Sequence, residues 1–312
     1  MIKLTTPIKN RLILGMSFAL VASFLIWQIP FDRLAKTDNS LISQTLNDQQ
    51  ATEPTVDFFS TINLKARSAI VWDIEKNEPL YSLNTDERMP LASLTKVMTA
   101  LTAMETMSKD EIIPITERAV EVVSNAGLQA GQSWRLRDLL VFSLVTSSNG
   151  SSRAVALTAS AKNKRDFITD MNQLAKTIGL QDTYFINETG LDVGDSYGGS
   201  YGTAKDMALL FSYVVRQNPE LFLPTNQPVI NLKSIENYSY TGYNTNQAVG
   251  DIPGIMISKT GYTVNAGGNL GIVFDAGLRQ PMAVIVLGST REGRFEDVKN
   301  LVQATLRYTA NK

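Results

Sequence analysis

The sequence contains no cysteine and no histidine. Without cysteine there can be no disulfide, no thiol nucleophile and no thiolate metal site. Without histidine, Ser-His-Asp and Cys-His chemistry are excluded, along with the commonest zinc ligand. A base that works near neutral pH must then be a displaced lysine, a carboxylate or a tyrosine. Net charge is also nearly absent: 29 basic residues face 30 acidic ones. That balance leaves no electrostatic footprint for nucleic acid, so those partners are set aside. Internal repeats and low-complexity tracts are missing too. What remains is a chain of 312 residues, 44 % of them hydrophobic, enough to bury a real core in one large domain or two small ones.

The amino terminus reads as a targeting segment. Lys3, Lys9 and Arg11 precede an apolar run from Leu12 to Ile29. As a helix that run spans about 27 Å, close to the hydrocarbon thickness of a bilayer. It is longer than the usual signal-peptide core, and no small-x-small site follows it. A cut after Val21-Ala22-Ser23 would fall inside the run. The reading therefore favours an uncleaved membrane anchor over a cleaved signal within residues 1–30. The basic flank keeps the start of the chain inside and places residue 31 onward outside the cell membrane. Residues 31–60 are rich in Asn, Gln, Ser, Thr and Asp and read as a polar linker.

The body of the chain, residues 61–312, alternates in type. Ser68–Ile74 and Pro79–Leu83 read as a hairpin. Helical spacing runs from Leu94 to Met107, with Ser93 at the N-cap position. Further helices are expected over Arg137–Thr146, Ala154–Ala161 and Lys164–Ile178. Strands return over Gly254–Ser258, Gly268–Ala276 and Met282–Gly288, and Phe295–Tyr308 closes as a helix. The pattern predicts an α+β fold: one antiparallel sheet built from both chain ends and flanked by helices, with a helical subdomain inserted in it.

Three short motifs carry candidate chemistry. In Ser93-Leu94-Thr95-Lys96, positions i and i+3 share one helix face, so the lysine can reach the serine hydroxyl. A serine needs such a base to become a nucleophile. Ser147-Ser148-Asn149 offers a hydroxyl and an amide for proton relay and peptide binding. Lys259-Thr260-Gly261, expected at the end of a strand, offers a cation and a hydroxyl beside bare backbone, which suits a substrate carboxylate. Each motif alone also fits an ordinary capped helix, a Ser-rich loop or a strand end with a snorkelling lysine. Their order is informative. Ser147 lies 54 residues after Ser93, and Lys259 lies 112 after Ser147. The same three motifs, in helix, loop and strand contexts, mark penicillin-binding proteins and class A β-lactamases.

The surrounding residues sharpen the resemblance. Pro90–Leu101 resembles the nucleophile segment of the D-alanyl-D-alanine carboxypeptidases, the low-molecular-mass penicillin-binding proteins. Gly127–Gly131, Arg137–Leu140, Thr183–Asn187 with Gly190–Asp192, Thr203–Ala208 and Lys259–Thr263 with Ala266-Gly267 are also similar to that family. The likeness covers about residues 66–305. At the second motif the family usually has Ser-Gly-Asn-Asp, whereas this chain has Ser147-Ser148-Asn149-Gly150; the missing acid puts the start of the local helix in doubt. The chain also runs only a few residues past its closing helix, so the expectation is a shorter, endopeptidase-like branch without a second β-rich domain.

The resemblance implies the transpeptidase fold of penicillin-binding proteins and serine β-lactamases, and a serine D,D-peptidase. Ser93 would attack the carbonyl between two D-alanines, with Lys96 as base and Ser147 passing the proton to the leaving amine. Asn149, Lys259, Thr260, Gly261 and Tyr262 would bind substrate. The backbone N–H groups of Ser93 and Tyr262 would form the oxyanion hole, and Lys259 and Thr260 would hold the terminal carboxylate. Arg294 is read chiefly as a basic residue before the last helix. No metal or cofactor is implied. The expected partners are peptidoglycan stem peptides, with β-lactam antibiotics as covalent inhibitors. Two other readings use the same motifs: a class A-like β-lactamase, with Glu188 as candidate water-positioning acid, and a catalytically inactive wall-binding module.

Overall fold

Chain alternation builds the central sheet. The computed structural model describes residues 57–277 and 279–312. The strands are β1 (Ser68–Asp73), β2 (Glu78–Leu83), β3 (Ile255–Thr263), β4 (Gly267–Asp275) and β5 (Pro281–Ser289). They lie in the order β3-β4-β5-β1-β2, and every neighbouring pair is antiparallel. The first strand of the fold thus pairs with the last, Ser68 opposite Leu287, as expected for a sheet closed from both chain ends. Successive side chains on a strand point to opposite faces. Ala69 and Val71 accordingly join one core cluster, and Ile70 and Trp72 the other.

The helices are α1 (Thr95–Thr106), α2 (Leu136–Thr146), α3 (Asn149–Asn163), α4 (Phe167–Ile178), α5 (Ala204–Gln217) and α6 (Gly293–Ala310). On one sheet face α6 buries Phe295, Val298, Leu301 and Val302 against Ala69, Val71 and β4. On the other face α5 buries Leu210, Phe211 and Val214 in a core continuous with α1, α2 and α3. Gly271 of β4 lets that second layer close: a Cβ there would lie 2.6 Å from the Phe211 ring. The helical middle is inserted between β2 and β3, as the alternation predicts.

Several boundaries differ from the sequence reading. Phe58 and Phe59, assigned to the linker, pack on the folded body, and Phe59 stacks on Tyr81 at 5.4 Å. The helix expected over Ala154–Ala161 begins five residues earlier, at Asn149. The helix expected from Lys164 starts at Phe167, because Lys164 adopts a left-handed conformation that ends α3. The strand expected to stop at Ser258 runs on to Thr263. The amphipathic helix α5 and the hairpin Val229–Lys233/Ser239–Tyr243 were not read as secondary structure. The anchor reading of residues 1–30 and the linker reading up to residue 56 lie outside the described residues. Among the described residues, no helix is long and apolar enough to cross a membrane.

Candidate active site

The nucleophile motif is set by an unusual entry into α1. Ala92 has φ +49, and Ala92–Leu94 form a 3-10 turn before the helix proper. The N-cap of α1 is Leu94, with no side-chain cap bond. The expectation that Ser93 caps the helix is therefore corrected: Ser93 sits within the 3-10 turn, and its hydroxyl meets Lys96 Nζ, which donates to Ser93 Oγ at 2.8 Å. The turn is braced from outside by Gly190, at φ +76, where a Cβ would fall 1.9 Å from the Ala92 carbonyl oxygen. Only glycine tolerates both that backbone and that approach.

Lys96 is fully buried and makes two further bonds through Nζ. It donates to Asn149 Oδ1 at 2.6 Å and to the Thr189 carbonyl at 2.8 Å. The Asn149 amide is oriented by its other end, since Nδ2 donates to the Val123 carbonyl at 2.8 Å. Asn187 shapes the turn that carries Thr189, accepting from the N–H groups of Thr189 and Gly190. Burial pulls the Lys96 pKa down to about 7, opposed by the negative charge of Glu188. Near pH 7 the amine and the ammonium are thus both populated. A neutral amine has two N–H bonds and one lone pair. The acceptors on Asn149 and Thr189 take the two N–H bonds, which leaves the lone pair for the Ser93 hydroxyl.

The second motif joins α2 to α3. Ser147 ends α2 in a left-handed conformation, φ 59 and ψ 29. Its hydroxyl accepts from Lys259 Nζ at 2.9 Å. The family's missing acid is made good locally: Ser148 is the N-cap of α3, its Oγ accepting from Ser151 N–H at 3.2 Å and donating to the Asn125 carbonyl at 2.8 Å. At Gly150 a Cβ would meet Asn125 Cβ at 3.0 Å and the Ala119 carbonyl at 3.1 Å. The close approach of residues 119–125 leaves little room there for an aspartate.

The third motif lies in mid-strand rather than at a strand end. Lys259, Thr260 and Gly261 pair with Gly271, Leu270 and Asn269 of β4. Gly261 is needed because a Cβ would sit 2.8 Å from the Leu91 carbonyl and 3.2 Å from Ser93 N. That contact brings the strand against the nucleophile turn. Thr260 Oγ1 lies 2.6 Å from Thr245 Oγ1. Tyr262 is 46 % exposed at the rim, with the Arg291 guanidinium 5.2 Å from its ring centroid. Arg294 is not a residue before the last helix but part of its first turn. It is buried, and its Nη1 donates to the Gly261 carbonyl at 2.7 Å. Its pKa is lowered to about 10, mainly by burial.

The residues singled out from the three motifs thus gather in one site, with Tyr262 at its exposed edge. Lys259 is pushed well below the ordinary lysine range, first by burial and then by the charges of Lys96 and Arg294. Three buried basic groups in one site favour an anionic group on whatever binds there, since an anion stabilises their charged forms. Thr189, Arg153 and Thr245 belong to the same neighbourhood and carry no motif signal, and Glu188, the candidate water-positioning acid, pairs there with Arg153. Thr189 acts through its backbone carbonyl, which its side-chain identity does not reveal.

The family model described as D-alanyl-D-alanine carboxypeptidase, Peptidase_S11, matches residues 49–290. The chain belongs to that family. The S11 match contains all three motifs and stops short of Arg294. The chain is 29 % identical over 245 residues to D-alanyl-D-alanine carboxypeptidase DacF of Bacillus subtilis, covering 76 % of this chain and 61 % of DacF. It is also 29 % identical over 230 residues to a D-alanyl-D-alanine endopeptidase of Pseudomonas aeruginosa, covering 72 % of this chain and 71 % of the relative. Among solved structures it resembles penicillin-binding protein D2 of Listeria monocytogenes in its ampicillin-bound form. There the TM-score is 0.68 at 30 % identity, covering 78 % of this chain and 98 % of the other. The Streptomyces K15 DD-transpeptidase shares the fold, with a TM-score of 0.71 at 22 % identity and coverage of 79 % and 98 %. The α+β transpeptidase fold expected from the sequence is the fold found.

Proposed function

We propose that this S11 chain is a penicillin-sensitive serine D,D-peptidase that cleaves peptidoglycan stem peptides through an acyl-enzyme on Ser93. The observation that carries the reading is the coordination of Lys96: two fixed acceptors, full burial, a pKa of about 7 and the Ser93 hydroxyl at 2.8 Å. The Ser93 proton passes to Lys96 Nζ as Oγ bonds to the carbonyl carbon between two D-alanines. The C–N bond then breaks, and the leaving amine takes a proton through Ser147, whose hydroxyl is held by Lys259. Water hydrolyses the ester and frees Ser93. Lys259, Thr260 and Gly261 line the strand along which the substrate's terminal carboxylate is held. The backbone N–H groups of Ser93 and Tyr262 are the oxyanion donors in this scheme. Asn149 holds the base and contributes to peptide binding.

The β-lactamase alternative loses support at its candidate acid. Glu188 Oε1 accepts from Arg153 Nε at 2.9 Å, so its carboxylate is committed to an ion pair rather than to a water beside Ser93. Asp192 is likewise engaged, accepting from Thr263 Oγ1 at 2.7 Å and from Asn265 N–H. The inactive-module alternative is opposed by the intact contacts around Ser93 and Lys96. In our reading the catalytic domain takes in Phe58 and Phe59 and runs to residue 312, a linker precedes it, and residues 1–30 are a membrane tether that keeps the enzyme outside the cytoplasm.

The direct test is fluorescent penicillin labelling followed by digestion of purified muropeptides and mass spectrometry. Labelling at Ser93 with release of D-alanine or cut cross-links supports the reading. Rapid nitrocefin turnover without muropeptide products would favour the β-lactamase instead.

A further inference from the structure

Behind Lys96, a second tie joins the same two elements whose acceptors hold its amine. Arg153 follows Asn149 by one turn of α3, and residues four apart share a helix face. Glu188 immediately precedes Thr189. Lys96 Nζ bridges Asn149 Oδ1 to the Thr189 carbonyl, and Arg153 Nε bridges to Glu188 Oε1. Helix α3 and the 187–191 turn are thus connected by two parallel rungs, one an amine and the other an ion pair. The Glu188 side chain is only 11 % exposed, so its charge acts on the buried site with little screening by water.

We propose that Glu188 and Arg153 are a positioning pair for Lys96, fixing the spacing of its two acceptors and the charge that its amine faces. The inference rests on the reading of Lys96 as the general base.

The charged groups around Lys96 come from several elements. Glu188 faces it from the turn, with Arg153 of α3 behind that carboxylate. Lys259 faces it from β3, with Arg294 of α6 beyond. Glu188 favours the ammonium, and Lys259 opposes it. Arg153 neutralises Glu188 and so limits the first effect. Removing the carboxylate must therefore ease deprotonation of Lys96, and removing its partner must hinder it. A pair that merely braced the fold would not move the two variants in opposite directions.

The test is the pH dependence of the second-order acylation rate with a fluorescent penicillin, using the full chain. The acid limb of the wild type is expected near pH 7, the pKa of Lys96. Glu188→Gln should move that limb to lower pH, and Arg153→Met to higher pH, each by about half a unit or more. The double variant should fall between them. If Arg153→Met does not fold, Arg153→Lys takes its place and should keep the limb closer to wild type than Glu188→Gln does. A limb that stays put in both variants, or moves the same way in both, overturns the inference alone. A wild-type profile with no acid limb overturns the base reading, and this inference with it.

Discussion

Two lysines of one site, Lys96 and Lys259, are both fully buried and are held differently. Lys96, on the helical side, has an amide oxygen and a backbone carbonyl as fixed acceptors, with a carboxylate nearby. Lys259, on the sheet side, has the Ser147 hydroxyl and the Thr260 carbonyl, with two other cations nearby. Burial pushes both down from the ordinary lysine range, so burial alone does not assign their roles. The difference lies in where each amine is aimed. Lys96 reaches the Ser93 hydroxyl, whereas Lys259 reaches the Ser147 hydroxyl. In the proposed scheme the first half of the site moves the first proton, and the second holds the substrate's anionic end and hands a proton onward.

The comparison can be broken or sharpened by substitution. The largest effect is expected from Ser93→Ala, which should abolish covalent penicillin labelling on a gel. Because Ser93 caps nothing, its circular dichroism melting curve should stay close to wild type. Asn149→Asp puts a negative charge beside the base and, with the sign of an added opposite charge, raises the Lys96 pKa. At pH 7 more Lys96 is then protonated, and the acylation rate should fall about tenfold or more, with partial recovery as pH rises. Lys259→Ala removes the sheet-side cation. Loss of a charge-assisted contact predicts a fall of about ten- to a hundredfold in kcat/KM on a D-Ala-D-Ala peptide. Its acid limb should persist but move to higher pH, because Lys259 opposes the ammonium form of Lys96. The smallest effect is expected from Ser148→Gly, which restores the residue usual in the family. Glycine at the N-cap costs a few tenths of a kcal/mol, and losing the partly buried bond to the Asn125 carbonyl adds about 1 kcal/mol or more, so the melting temperature should fall while acylation of the folded protein stays within about twofold of wild type.

Much of this site was legible because its side chains come from short motifs with local geometry. Ser93 and Lys96 are one helical turn apart, and no fold is needed to bring them together. Lys259, Thr260 and Gly261 were legible as a motif but misplaced at a strand end, because a glycine weakens a strand pattern and reads as its stop. In the fold that glycine instead lets a continuing strand touch Leu91 and Ser93. The cap assigned to Ser93 failed for a related reason: a serine before a helix looks alike whether it caps the helix or sits in a preceding 3-10 turn. Backbone contributions left no trace in residue type. The Thr189 and Val123 carbonyls depend on how distant loops close on α1 and α3, and the pairing of Glu188 with Arg153 spans 35 residues. The sheet was legible from alternation at both chain ends, whereas α5 appeared in the sequence only as part of a family resemblance.

The account stands or falls on Lys96 as the base. Its most direct test is the second-order penicillin acylation rate of Lys96→Arg at pH 7, with folding checked by circular dichroism. Arginine keeps the positive charge but stays protonated. If Lys96 accepts the Ser93 proton, the rate should fall by about 10²–10⁴-fold, nearly as far as in Lys96→Ala. An arginine variant that folds and acylates within about threefold of wild type, well short of a general-base contribution, would contradict the account and leave Lys96 as a charge that only positions the nucleophile.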